Sequence, residues 1–125
     1  MARILVIDED SLLRANLRRL LVLEGHEVVE ASGGCEGVEL ALADPPDAVL
    51  CDLVMPDLDG AAVLESLRAD PRTARVPFVL VTGSVMPEGD GHSPPFDADG
   101  YVTKPFELEG LLDVLARVLA ATSRR

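Results

Sequence analysis

Four short apolar runs in this 125-residue chain each end in a polar group capable of chemistry. Ile4–Ile7 leads into Asp8-Glu9, Ala48–Cys51 into Asp52, Phe78–Val81 into Thr82, and Tyr101-Val102 into Thr103-Lys104. Asp52 then opens a turn, Leu53-Val54-Met55-Pro56-Asp57-Leu58-Asp59-Gly60. An apolar strand ending in a carboxylate, followed by Pro and Gly, sets an anion on a rim. In open α/β sheets ligands bind outside the carboxyl ends of the strands. Two acids, a hydroxyl and an amine on one rim suit a divalent cation and a phosphoryl group. Mg²⁺ takes oxygen ligands, keeps several waters and needs only one or two carboxylates. Asp8, Glu9 and Asp52 would supply them, with the backbone carbonyl of Val54 completing the protein's share. Without a cation these carboxylates would repel one another. Asp52 is also a candidate nucleophile, since carboxylates form aspartyl-phosphate intermediates. Lys104 offers a compact charge to one phosphoryl oxygen, and Thr82 a hydroxyl to another.

The elements that must position these groups follow from the pattern. Short apolar runs alternate with longer amphipathic stretches, which reads as βαβ units and a parallel sheet. Ile4-Leu5-Val6-Ile7 and Phe78-Val79-Leu80-Val81 are apolar throughout, as strands covered on both faces should be. A first helix is expected from Ser11, capped by its hydroxyl. It carries Leu12, Leu13, Leu17, Leu20 and Leu21, and Gly25 stops it. His26–Ala31 reads as the second strand, with a helix from about Cys35 to Ala43 before Asp44-Pro45-Pro46. A further helix follows Gly60 with Val63, Leu64 and Leu67 inward, and Asp70-Pro71 ends it. The last runs from about Glu107 to Ala121 on Leu108, Leu111, Leu112, Leu115 and Leu119. Between Thr82 and Tyr101 the rhythm calls for another helix, but three prolines and three glycines fall between Gly83 and Phe96. Each interior Gly costs about 1 kcal/mol and each Pro about 3 kcal/mol in a helix. An irregular loop is expected there.

Bulk properties bound the function. The length suits one domain spanning 1–125. Eleven basic against 22 acidic residues give a net charge of −11, which argues against direct binding to phosphate backbones. An aromatic content of 3% offers no platform for stacking single-stranded bases. No apolar run approaches the ~20 residues of a membrane helix, and Met1-Ala2-Arg3 leads straight into the first strand, so a cytoplasmic location is expected. Cys35 and Cys51 read as buried free thiols.

Taken together, Ile7-Asp8-Glu9, Asp52…Met55-Pro56…Asp59-Gly60, Val81-Thr82-Gly83 and Tyr101-Val102-Thr103-Lys104-Pro105-Phe106 resemble the receiver domains of two-component response regulators. The likeness is to small, single-domain, chemotaxis-regulator-like ones. It runs from Arg3 to about Ala121, and the 52-to-82 and 82-to-104 intervals are typical of that family. The resemblance implies a flavodoxin-like sheet in strand order 2-1-3-4-5. It implies that Asp52 accepts a phosphoryl group from a histidine kinase or a histidine phosphotransfer protein. Mg²⁺ would be held by Asp8, Glu9, Asp52 and the Val54 carbonyl. Thr82, Tyr101 and Lys104 would be the switch and phosphoryl-binding residues. Such a protein is a signalling switch, not a turnover enzyme. Output would pass through a downstream protein partner, a relay to another His, or a homodimer, because no output segment follows the last helix.

Two features depart from that pattern. Glu9 stands where the family more often has Asp, with Asp10 beside it as a competitor, and the segment after Thr82 is irregular. Each residue also has a plainer reading when taken alone. A single strand-end acid is usually just solvated, Thr82 could be a satisfied hydroxyl, and Tyr101 core filler with a wet hydroxyl. Asp57 and Asp59 read as loop and helix-start acids, and His92 as a solvated loop residue. Two other functions compete. A haloacid-dehalogenase-like phosphatase would use Asp8 as nucleophile and leave Asp52 without a role. A phosphorylation-independent module would keep the fold and signal by binding alone.

Overall fold

The computed structural model describes residues 2–82, 98–104 and 108–123. The described elements are five strands and four helices: β1 (Arg3–Ile7), α1 (Ser11–Leu23), β2 (Glu27–Ala31), α2 (Gly34–Ala43), β3 (Ala48–Asp52), α3 (Gly60–Ala69), β4 (Phe78–Thr82), β5 (Gly100–Thr103) and α4 (Leu108–Ser123). The strands pair in parallel in the order β2-β1-β3-β4-β5, the flavodoxin-like order expected. Order reverses between β1 and β3, so the crevice of the switch point opens where Asp8 and Asp52 end their strands.

Side chains alternate along each strand, and the apolar runs therefore feed two cores. Ile4 and Val6 pack with Leu17 and Leu21 of α1 and Leu111 and Leu115 of α4. Leu5 and Ile7 pack on the other face with Ala41 of α2 and Val63, Leu64 and Leu67 of α3. Every residue of β3 is buried. Each fully buried aliphatic side chain contributes about 1.5–3 kcal/mol relative to exposure, so the register that points them inward is strongly selected.

Local corrections to the sequence reading are few. The N-cap of α1 is Asp10, not Ser11: its carboxylate accepts from the Leu12 and Leu13 N–H groups at 3.0 and 3.1 Å. A carboxylate reaching two free N–H donors outcompetes a hydroxyl inside the first turn. Leu12 is 70% exposed, because at ~100° per residue it lies roughly 140° around the helix from Leu17. Gly25 ends the helix as expected, with φ +90°, a conformation costly for residues with a Cβ. Cys51 is buried, but Cys35 is exposed on the first turn of α2. The irregular loop expected after Thr82 lies outside the described residues, as does His92. No helix among the described residues is long and apolar enough to cross a membrane.

Candidate functional site

Asp52 closes β3 and Asp8 follows β1, so the two carboxylates emerge side by side from adjacent strands. They are 9% and 2% exposed. Lys104, in the turn after β5, reaches across the end of β4 to both. Its ammonium donates to Asp8 Oδ2 at 3.1 Å and lies 3.6 Å from Asp52 Oδ2. Residues 96 positions apart in sequence thus form one buried charge cluster. Burial raises the Asp52 carboxyl above its ordinary range, and the negative charge of Asp8 adds to that. Lys104 and the Val54 backbone N–H pull the other way and do not win.

The acid pair is held by its own turns. Asp8 Oδ1 accepts the Asp10 N–H at 2.9 Å, and the Asp8 carbonyl accepts from Arg14 Nη1 at 2.6 Å. Arg14 is itself paired with Glu30 of β2. On the other side, the Leu53 N–H donates to the Val81 carbonyl and the Gly60 N–H to the Leu53 carbonyl. Gly60 sits so close that a Cβ there would lie 2.5 Å from the Asp52 carbonyl oxygen. Asp59 caps α3 by accepting the Ala62 N–H, the helix-start role expected of it.

The remaining predicted residues fall as follows. Glu9 is exposed, and among the described residues no three His, Cys, Asp or Glu side chains converge as a metal-holding group. Asp10 is committed to capping α1 and so does not compete at the site. Val54 is 62% exposed, and its backbone N–H is one of the groups that lower the Asp52 carboxyl. Thr82 ends β4 in register with Thr103; its side chain is outside the described set. Tyr101 is half-buried and packs against the core on the α2–α3 face. Two buried carboxylates whose charge exceeds that of one ammonium fit a hard divalent cation. Mg²⁺ needs no more protein carboxylates than that.

One functional residue was read too plainly from the sequence. Asp57 is not merely a loop acid: it accepts the Gly34 and Cys35 N–H groups at 3.1 and 3.0 Å, capping α2 from across the crevice. Those bonds, with the adjacent Leu58 backbone N–H, hold its carboxyl down to about 2. A signal was present, since α2 starts after Gly33 with no capping side chain of its own.

Residues 4–116 match the response regulator receiver domain family. The chain belongs to that family. It is 37% identical over 120 residues to Protein PilH of Pseudomonas aeruginosa, covering 96% of this chain and 99% of PilH. It is also 37% identical over 128 residues to the DNA-binding dual master transcriptional regulator RpaA of Synechocystis, covering 99% of this chain and 52% of RpaA. The chain thus spans about half of RpaA's length. Among solved structures, chemotaxis protein CheY4 of Vibrio cholerae superposes with a TM-score of 0.85 at 29% identity, covering 94% of this chain and 98% of CheY4. The receiver domain of sensor histidine kinase PA1611 of Pseudomonas aeruginosa, solved with a magnesium ion coordinated in its active-site cleft, gives 0.85 at 26% identity, covering 95% and 98%. Receiver domains serve two-component signalling, interacting with histidine kinases and downstream effectors. Membership sets aside the haloacid-dehalogenase alternative.

Proposed function

We propose that this receiver domain, taken as the whole of 1–125, is a phosphorylatable switch whose acceptor is Asp52. The donor is a histidine kinase or a histidine phosphotransfer protein, and output passes through a protein partner in the cytoplasm. The observation that carries this reading is the single ammonium of Lys104 poised against both Asp8 and Asp52. One of the two buried carboxylates is thereby free to gain a group, while the cation stays to receive its charge.

Chemically, an oxygen of the Asp52 carboxylate attacks phosphorus as the P–N bond of the donor phosphohistidine breaks. The electron pair returns to the imidazole nitrogen, and solvent supplies its proton. Phosphoryl transfer asks the protein mainly for alignment and charge neutralisation. Lys104 shifts its pairing to a phosphoryl oxygen, and the Thr82 hydroxyl binds another. Tyr101 follows as a switch residue. Asp8, Glu9, Asp52 and the Val54 carbonyl are the proposed Mg²⁺ set; when bound, Mg²⁺ neutralises charge gathered on the transferring oxygens. The family's magnesium-bound relative supports Mg²⁺ as the cation of such a cleft.

Incubation with acetyl phosphate and Mg²⁺, followed by intact mass, tests the acceptor. Wild type gains one phosphoryl group and Asp52→Asn gains none. Label surviving the loss of Asp52 sinks the proposal. Beryllofluoride with Mg²⁺ mimics the acyl phosphate; spectra unchanged by it would favour the binding-only module.

A further inference from the structure

The turn that follows Asp52 is clamped to a different helix, and the clamp has a chemical consequence for the site. We propose that Asp57 is a positioning residue for Mg²⁺ binding: by tying the Asp52–Gly60 turn to the N-terminus of α2, it fixes the turn that carries Val54 past Asp52. This rests on the reading of Asp52 and Val54 as part of the Mg²⁺ set.

Three observations converge. First, a helix start leaves its first N–H groups without partners. The N-cap of α2, Gly33, has no side chain to offer. Asp57 fills that gap with both oxygens, Oδ1 on the Gly34 N–H and Oδ2 on the Cys35 N–H. Asp59, two residues on, caps its own helix instead. The chain therefore commits two acids of one turn to two helices. Second, the turn is seated flush on a glycine pair. A Cβ on Gly33 would lie 2.9 Å from Asp57 Oδ2, and one on Gly34 would collide with the Leu58 carbonyl. A side chain on Gly34 could not be admitted without lifting the turn, and one on Gly33 would displace the Asp57 carboxylate from its clamp. Third, the exposed residues of the turn have few ties of their own. Its stem is closed by backbone bonds at Leu53 and Gly60, Met55 is buried and Leu53 and Leu58 pack against the same core, while Val54, Pro56 and Asp57 are exposed. Val54 lies between the stem and the clamp. It stands two residues after Asp52 on the same turn, so freeing the outer half of the turn loosens the backbone unit proposed for the metal.

Calorimetric titration of Mg²⁺ into five proteins tests this. Partners that orient metal ligands typically account for 10–100-fold in affinity, and Asp57 acts one step further out, so Asp57→Ala is expected to weaken Mg²⁺ about tenfold. Asp57→Asn keeps one carbonyl acceptor for α2 and should recover part of that loss. Arg68→Ala serves as the control for general loosening. Arg68 binds the carbonyls of Ala74 and Val76 and the carboxylate of Asp99 at the opposite ends of the strands. It should lower the unfolding midpoint and leave Mg²⁺ affinity within about twofold of wild type. Asp52→Asn should lose most affinity. Wild-type affinity in Asp57→Ala overturns the proposal, as does a loss in Arg68→Ala equal to that in Asp57→Ala. Wild-type affinity in Asp52→Asn instead overturns the site reading itself, and the role of Asp57 with it.

Discussion

Replacing Lys104 by Met removes the cation that the two buried carboxylates share while keeping most of the side chain's length. Its ammonium lies 3.1 Å from Asp8 and 3.6 Å from Asp52. At an effective dielectric of ~20, each such pair is worth about 5 kcal/mol gross. Lysine desolvation and solvent screening cancel much of that. Breaking a buried pair typically costs about 3–5 kcal/mol and an exposed one at most about 1 kcal/mol. With the Lys104 side chain 26% exposed against 3% and 12% for its partners, the expected loss is about 2 kcal/mol. Urea unfolding at pH 7 without Mg²⁺ measures it. The pH dependence carries a further check. Asp52 already has a raised carboxyl pKa, and Lys104 is one of the groups restraining it. In the variant the folded state binds that proton more readily than the unfolded chain, whose Asp titrates near ~3.9. The deficit should therefore shrink as pH falls through the raised value towards the unfolded one. Saturating Mg²⁺ should also narrow it. A variant within about 0.5 kcal/mol of wild type at pH 7, the range of an ordinary surface change, would refute the charge-cluster reasoning.

Gly60→Ala should destabilise the fold by about 1–3 kcal/mol through overpacking. It should also slow phosphorylation, since its Cβ would meet the Asp52 carbonyl oxygen at 2.5 Å; chemical unfolding and acetyl-phosphate labelling report the two effects, and unimpaired labelling would contradict the second. Asp57→Ala should lower the pH at which Cys35 becomes reactive to iodoacetamide, because the Asp57 hydrogen bond is the main cause of that thiol's raised pKa. An unchanged alkylation profile would show that the two groups do not meet in solution. Asp57 itself has a depressed carboxyl pKa, about 2, so its contribution to stability is complete above the unfolded value of ~3.9 and lost as pH falls towards 2. Acid titration of wild type against Asp57→Ala should therefore converge below that window. Thr73→Val should cost about 0.5–1.5 kcal/mol in unfolding experiments, since the buried Thr73 hydroxyl donates to the Leu67 carbonyl at 2.7 Å and its loss leaves that acceptor only the longer Asp70 N–H bond at 3.4 Å.

The order of elements, the parallel sheet and the rim on which Asp8, Asp52 and Lys104 meet were all legible in the chain. Strand and helix periodicities are local properties, and a polar residue ending an apolar run marks the rim wherever the sheet is parallel. Partner choice was not legible, because it depends on which groups reach one another once elements pack. Asp10 rather than Ser11 caps α1 because its longer side chain meets two N–H groups at once. Leu12 and Cys35 are exposed because the helix axes, set by packing, turn them outward. The convergence of Lys104 on Asp8 and Asp52 across β4 gives the site its electrostatics, and it exists only through the strand order. Asp57 shows the distinction most plainly. Its sequence neighbours suggest a loop acid, and only the folding of the Asp52 turn onto Gly33 and Gly34 makes it the missing cap of another helix.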